Sequence, residues 1–97
     1  GKVGDTSITY VKNISSKTVK VAYKKATNAT RYQIQYSTDN SFKNNVQNSY
    51  TTQTGAILRN LTKGKTYYIR VRAYTKDSTD SNTYGKFSRI AKVKVTE

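Results

Sequence analysis

The sequence of 97 residues contains no cysteine, histidine, methionine, tryptophan or proline. Without cysteine or histidine there is no disulfide, no thiol nucleophile, no Ser-His-Asp triad and no zinc or haem site of ordinary type. A carboxylate pair for acid–base catalysis would have to come from only five acids, Asp5, Asp39, Asp77, Asp80 and Glu97. The sequence therefore predicts a protein that is not an enzyme and that carries no cofactor and no metal.

Long apolar stretches are also missing. No run approaches the roughly 18 apolar residues of a membrane-spanning helix, and no apolar segment marks a signal peptide. The length is that of one domain. We expect residues 1–6 to be a linker or residues foreign to the domain, and residues 7–97 to form the domain itself.

The residues that are abundant favour β-structure. Val, Ile, Thr, Tyr and Phe together supply 40 of the 97 residues, whereas Leu occurs twice and Glu once. β-branched and aromatic side chains fit a pleated, half-buried surface and are weak helix formers. Nine tyrosines can fill a thin core with large rings.

Apolar and polar residues alternate along several short segments. Tyr67, Ile69, Val71 and Ala73 alternate with polar or basic residues in the clearest of these. Such segments recur every 8–12 residues with turn residues between them, a spacing typical of an antiparallel β-sandwich. Seven strands are predicted, over residues 7–12, 18–24, 31–36, 46–52, 54–61, 67–74 and 89–96.

The segment from Leu61 to Ala73, with Tyr67 six residues after Leu61, resembles the fibronectin type III domain. Residues 32–37 and 84–88 are similar to its third strand and to the start of its last strand. The resemblance implies an all-β, seven-stranded antiparallel, immunoglobulin-like sandwich in which Tyr67 and Leu61 form a tyrosine corner. Predicted core residues are Val19, Val21, Tyr23, Tyr32, Ile34, Tyr36, Leu58, Ile69, Val71 and Val93.

The chain is strongly basic, with 18 Lys and Arg against 5 Asp and Glu and a formal net charge of +13. In the family topology, one sheet face would carry a set of outward cations and tyrosines. Interleaved cations and rings of this kind could bind an anionic polymer or a glycan. An ordinary solvated sheet face is the alternative interpretation. The predicted face comprises Arg31, Tyr68, Arg70, Arg72, Tyr74, Lys92 and Lys94.

The resemblance implies a structural function, as a spacer that presents neighbouring domains of a larger polypeptide. The Lys-, Thr- and Asn-rich surface is similar to that of modules from secreted or wall-attached proteins of Gram-positive bacteria. We therefore expect an extracellular, monomeric module whose partners are neighbouring domains, with adhesion to cell-wall or host polyanions or glycans as the alternative. Nucleic acid is not an expected partner. The loop from Asp77 to Asn82 contains oxygen ligands that could suit calcium, but flanking lysines oppose cation binding.

Overall fold

In a computed structural model, which describes residues 2–97, two antiparallel β-sheets pack face to face. Residues 2–97 include no helix with the length and apolar character that a membrane crossing requires. The strands are β1 (Ile8–Ser15), β2 (Thr18–Tyr23), β3 (Arg31–Ser37), β4 (Gln47–Thr51), β5 (Gly55–Leu58), β6 (Thr66–Lys76), β7 (Asn82–Tyr84) and β8 (Ala91–Lys94).

The two sheets differ in size. The small sheet has the order β1-β2-β5, and the large sheet has the order β4-β3-β6-β7 with β8 also paired to β6. Every strand pair is antiparallel. The molecule is elongated, with dimensions of 42 × 24 × 20 Å. This is the predicted sandwich, with an immunoglobulin-like arrangement of strands.

The strand count is eight in the described chain, whereas the sequence predicts seven. The additional strand is β7, which lies between the strands predicted over residues 67–74 and 89–96. β6 is 11 residues long, and two short strands share the edge of β6 that does not pair with β3. β7 pairs with the last three residues of β6, and β8 pairs with the first four. Residues 85–90 cross the gap between them without regular pairing.

The core lies between the sheets and consists of the inward residues that alternate along each strand. Nine of the ten predicted core residues are buried, from Val19 on β2 to Val71 on β6. The tenth, Val93, is only half-buried, because it lies on the short strand β8 at the sheet edge. Val95, just beyond β8, is fully buried instead.

Tyr67 is hydrogen-bonded across the connection between β5 and β6. The backbone N–H of Thr62 donates to the hydroxyl oxygen of Tyr67 at 2.8 Å. Leu61 is buried beside this bond, and the Leu61 N–H donates to the Lys17 carbonyl at 3.0 Å. The corner therefore fixes the connection between β5 and β6, and so the position of one sheet over the other.

The sequence predicts a linker over residues 1–6, of which Gly1 lies outside the described residues. Within the described part of that segment, Val3 is buried in the core cluster, and the Gly4 N–H donates to a carbonyl of the β2–β3 connection at 2.9 Å. Gly85 faces the same segment, where an added Cβ would clash with the Gly4 carbonyl oxygen. Residues 2–6 thus pack as part of the sandwich.

Candidate binding face on the large sheet

The outward residues of the large sheet form a continuous surface, which we call the large-sheet face. Along β6, Tyr68, Arg70 and Arg72 point outward, alternating with buried residues. Arg31 pairs with Tyr74, and Lys92 pairs with Tyr68 across the strands. Lys94 pairs with Thr66 on the same side. The strand registers therefore bring the seven residues predicted from sequence to one face.

Arg70 and Arg72 are packed against aromatic rings. The guanidinium carbon of Arg70 lies 4.2 Å from the ring centres of both Phe42 and Phe87. The guanidinium carbon of Arg72 lies 4.5 Å from the Phe87 ring and 3.7 Å from the Tyr84 ring. These distances are typical of cation–π contacts. The series Phe42–Arg70–Phe87–Arg72–Tyr84 is hereafter the arginine ladder.

Glutamine side chains form hydrogen bonds with both arginines of the ladder. The Nε atoms of Arg70 and Arg72 each donate to a glutamine Oε1 at 2.7 Å, on Gln35 and Gln33 respectively. Both glutamines donate through Nε2 to the Oδ1 atom of Asn48 on β4, at 3.2 and 2.9 Å. One network therefore crosses three strands and fixes both arginine side chains in place.

The surroundings of Arg70 affect its pKa. Burial, and then the neighbouring charge of Arg72, lower the pKa of the Arg70 guanidinium. Arginine stays protonated in proteins, so both side chains remain cations. The guanidinium planes of both arginines nevertheless stack on rings of this chain, and their Nε–H groups donate to glutamines of this chain. The two arginines are thus first of all packing groups of the fold.

Tyr74 is also not the exposed residue that the sequence predicts. Its ring packs edge-on to Tyr50 at 6.4 Å between centroids and against Tyr84 at 5.4 Å. Tyr74 is consequently buried, whereas Tyr50 is 59% exposed and Tyr84 is 42% exposed. A platform for stacking a sugar on this face would therefore use Tyr50 and Tyr84.

The free charge of the face lies at its margins. Arg31, Lys92 and Lys94 are exposed. The only ion pair among residues 2–97 joins Lys76 to Asp80, at 3.4 Å and on the surface. Cations that could meet an anionic partner on this face are thus the marginal ones.

The acidic residues are mostly occupied by backbone donors. Asp77 accepts hydrogen bonds from Thr79 and Ser81, which lower its pKa. Asp80 faces Lys76 instead. Within residues 2–97 no three His, Cys, Asp or Glu side chains converge.

Several residues of this face were not singled out as site residues by the sequence pattern. They are Tyr50 on β4, Tyr84 on the short strand β7, and Phe42 and Phe87 in connections between strands, where alternation gives no signal. Alternation with Tyr32, Ile34 and Tyr36 places Gln33 and Gln35 outward, but nothing in the sequence pairs them with particular arginines. The β3–β6 register, Gln33 with Arg72 and Gln35 with Arg70, supplies that information.

Comparison with known proteins supports the assignment of the fold. The FN1–FN3 domains of chicken CNTN1 match 96% of this chain with a TM-score of 0.78 and 23% identity, and the match covers 30% of that longer chain. An fn3 domain of human contactin 1 matches 97% of this chain and 77% of its own, with a TM-score of 0.75 and 21% identity. The sixth fibronectin type III domain of human fibronectin type III domain containing protein 3 matches 93% and 81%, with a TM-score of 0.70 and 17% identity.

A search of curated proteins finds no match to the chain. The family described as "Fibronectin type III domain" matches residues 6–86. That segment contains the tyrosine corner, seven of the eight strands and four of the five residues of the arginine ladder, with Phe87 just beyond it. The chain belongs to the fibronectin type III domain family.

Proposed function

We propose that this domain is a non-catalytic structural module that spaces neighbouring domains of a larger secreted or cell-surface protein, of the kind found in Gram-positive bacteria. The observation that carries the proposal is that the two ends of the chain are anchored at opposite ends of the sandwich. Lys2 accepts a hydrogen bond from Asn28, in the connection that follows β2. Glu97 accepts one from Lys17, in the turn that precedes β2.

Both anchors join the termini to the core strands. Asn13 on β1 donates through Nδ2 to two carbonyls of the β1–β2 hairpin, and its Oδ1 accepts the N–H groups of Thr96 and Glu97 at 2.9 Å. At the other end, Val3 is buried in the core cluster. A pull on either end is thus transmitted to the sandwich, as a spacer under tension requires.

The spacing can be measured directly, because the chain contains no cysteine of its own. Spin labels on Lys2→Cys and Glu97→Cys should be separated by more than the length of β2, about 20 Å, and by no more than about the 42 Å long dimension apart from the label tethers. A label separation shorter than the length of β2 would contradict the spacer geometry.

Stretching the domain through the same two positions tests whether it bears load. We expect one cooperative unfolding event and a contour-length gain of roughly 300 Å, from about 3.5 Å per residue less the folded length. Asn13→Ala, which removes the clamp on the last residues, should lower the unfolding force. Stepwise unfolding, or an unchanged force in the variant, would count against a spacer loaded end to end.

A second candidate function is adhesion to an anionic polymer or glycan through the large-sheet face. The exposed rings of Tyr50 and Tyr84 are held in place by Tyr74 and Arg72, and Arg31 is the cross-strand partner of Tyr74. Rigid aromatic groups next to cations bind partners at a low entropic cost. This arrangement favours a real site over a merely solvated face.

A salt titration of binding to purified Gram-positive cell wall tests this candidate. The test variant is Arg31→Gln/Lys92→Gln/Lys94→Gln, and Lys25→Gln/Lys63→Gln/Lys65→Gln is a control with the same charge change. Arg70 and Arg72 are left intact because they hold the ladder. Loss of binding in the test variant alone supports the site. Equal weakening in both variants, or no binding at about 0.15 M salt, would leave the spacer as the only proposed function.

A further inference from the structure

The opposite surface of the molecule, the outer face of the small sheet, carries an unusual mixture of lysines and exposed apolar groups. Strand alternation and register place two rows of side chains there, Tyr10–Ala22–Gly55 and Lys12–Lys20–Ile57. Tyr10 is 44% exposed and Ile57 is 38% exposed. Ile14, the next outward residue of β1, is 43% exposed.

The two lysines of this face are direct cross-strand partners. Lys12 on β1 pairs with Lys20 on β2, and none of the residues of β1, β2 and β5 is acidic. Like charges directly opposite each other destabilise a sheet. An acidic group placed between the two ammonium groups would relieve that repulsion.

In the other row, Tyr10 is followed by two residues with a small side chain or none, Ala22 and Gly55. Gly55 has an ordinary backbone conformation, and a Cβ built on it would be 3.4 Å from its nearest neighbour, the Val21 carbonyl oxygen. The fold therefore does not require glycine at this position. Glycine in a strand often marks a place where a ligand or another backbone approaches closely. Beside Ala22, it leaves a shallow recess between Tyr10 and Ile57.

We propose that the outer face of the small sheet binds an acidic segment of a partner protein. Its carboxylates meet Lys12 and Lys20, and an apolar side chain enters the recess over Ala22 and Gly55. A second copy of this chain does not fit, because it would bring the same lysines against these. A sugar polymer would gain nothing from Ile57, and phosphatidylglycerol vesicles distinguish a membrane surface from a protein partner.

The probe is a random glutamate–tyrosine copolymer, compared with polyglutamate of the same length, dextran sulfate and phosphatidylglycerol vesicles. We expect the copolymer to bind about tenfold more tightly than polyglutamate, which corresponds to one partly buried ring. In NMR spectra, the copolymer should shift the amide signals of Ala22, Gly55 and Ile57. Equal binding of both polypeptides would mean generic charge attraction and would overturn the proposal.

Two variants locate the site. Lys12→Gln/Lys20→Gln should weaken binding of the copolymer about tenfold, and Lys63→Gln/Lys65→Gln, with the same charge change, less than about threefold. Gly55→Thr should also weaken binding by filling the recess. Because Thr suits a strand, that variant should unfold at the same temperature as the native domain or higher, which separates lost binding from lost fold.

Two other results would also overturn the proposal. One is equal weakening by the two double variants. The other is binding of dextran sulfate or of the vesicles that depends on Lys12 and Lys20 while the copolymer does not bind, since the partner would then be a polyanion or a membrane. Binding to the large-sheet face is measured separately, so failure here leaves the adhesion test above unaffected.

Discussion

Arg70 illustrates how a charged side chain on a sheet face can act as a packing group. Its guanidinium contacts two phenylalanine rings, and its Nε is hydrogen-bonded to Gln35. Lysine keeps the charge but has no planar group to stack and no Nε fork. We expect Arg70→Lys to lower the free energy of unfolding by about 1–2 kcal/mol, as measured by urea denaturation.

The matched control is Arg89→Lys, in the irregular segment before β8, where the arginine is exposed. This change should alter the free energy of unfolding by less than about 0.5 kcal/mol. Equal effects of the two substitutions would mean that the ladder contributes no more than surface charge does.

Tyr67 contributes through its hydroxyl group. The Tyr67 oxygen accepts the Thr62 N–H, and removing it leaves that donor at a partly buried site without its partner. We expect Tyr67→Phe to cost about 1 kcal/mol or somewhat more. Tyr68→Phe, which changes the neighbouring outward residue, should be close to neutral. A silent Tyr67→Phe in a denaturation curve would contradict the role of the corner bond.

Single residues differ in how far the sequence predicts them. The Leu61-to-Tyr67 spacing predicts the corner because both partners lie within one short connection. Tyr74 shows the limit. Alternation places it outward, as found, but its burial depends on Tyr50 and Tyr84, which are brought to it by other strands. The local sequence pattern around Tyr74 carries no information on which rings from other strands pack over it.

Among the loops, the β3–β4 connection depends on one carboxylate. Asp39 accepts the N–H groups of Ser41, Lys43 and Asn44, and this wraps the loop around it. The same turn holds Phe42 at a φ of 55°, a strained value for a bulky residue. Asp39 thereby positions the Phe42 ring against the Arg70 guanidinium.

The charge of Asp39 makes this loop sensitive to acid. Hydrogen bonds, first from the Ser41 N–H, hold the pKa of the Asp39 carboxyl well below its usual range. A depressed folded-state pKa stabilises the fold above the unfolded-state value of about 4, and this contribution is lost as the pH falls further through the folded-state pKa. Asp39→Asn should therefore be less stable than the native domain at pH 7.

The difference in the free energy of unfolding between the native domain and Asp39→Asn should shrink as the pH falls below about 4, because a protonated carboxyl resembles the Asn amide. Urea denaturation at several pH values measures it. Asp80→Asn is the control, since Asp80 forms only an exposed ion pair with Lys76. A stability difference for Asp39→Asn that persists unchanged in acid would refute the role of its charge.

Within the small sheet, stability and the proposed binding should respond in opposite directions. Lys20→Glu replaces the repulsion between Lys12 and Lys20 with attraction. We expect the free energy of unfolding to rise by about 0.2–1 kcal/mol, while binding of the acidic copolymer falls. Lys63→Glu makes the same charge change in a turn. If it raises stability as much, the cross-strand pair has no special role.

Strands were predictable where alternation is strict, as in β2, β3 and β6, because one buried face imposes a period of two. β7 was not predictable. It has three exposed residues and pairs only with the end of β6. A strand that buries nothing leaves no apolar period in the sequence, and its pairing follows from the excess length of β6.

Considered as a whole, the molecule carries a large positive charge that its own acids do not neutralise. The net charge is +13, and residues 2–97 contain a single ion pair. Asp5, Asp39 and Asp77 accept backbone N–H groups instead of facing cations. The folded state therefore brings many unpaired lysines and arginines closer together than the unfolded chain does.

Salt should consequently stabilise this domain. Raising sodium chloride from about 0.02 to 0.2 M shortens the screening length from roughly 20 to 7 Å and weakens the repulsion between surface cations. We expect the free energy of unfolding in urea to increase over this range, with urea chosen because guanidinium is itself a salt. Lys25→Gln/Lys63→Gln/Lys65→Gln should respond less steeply. A stability that is flat or falling with salt would show that the cations lie too far apart to repel, and the excess charge would then matter for partners rather than for the fold.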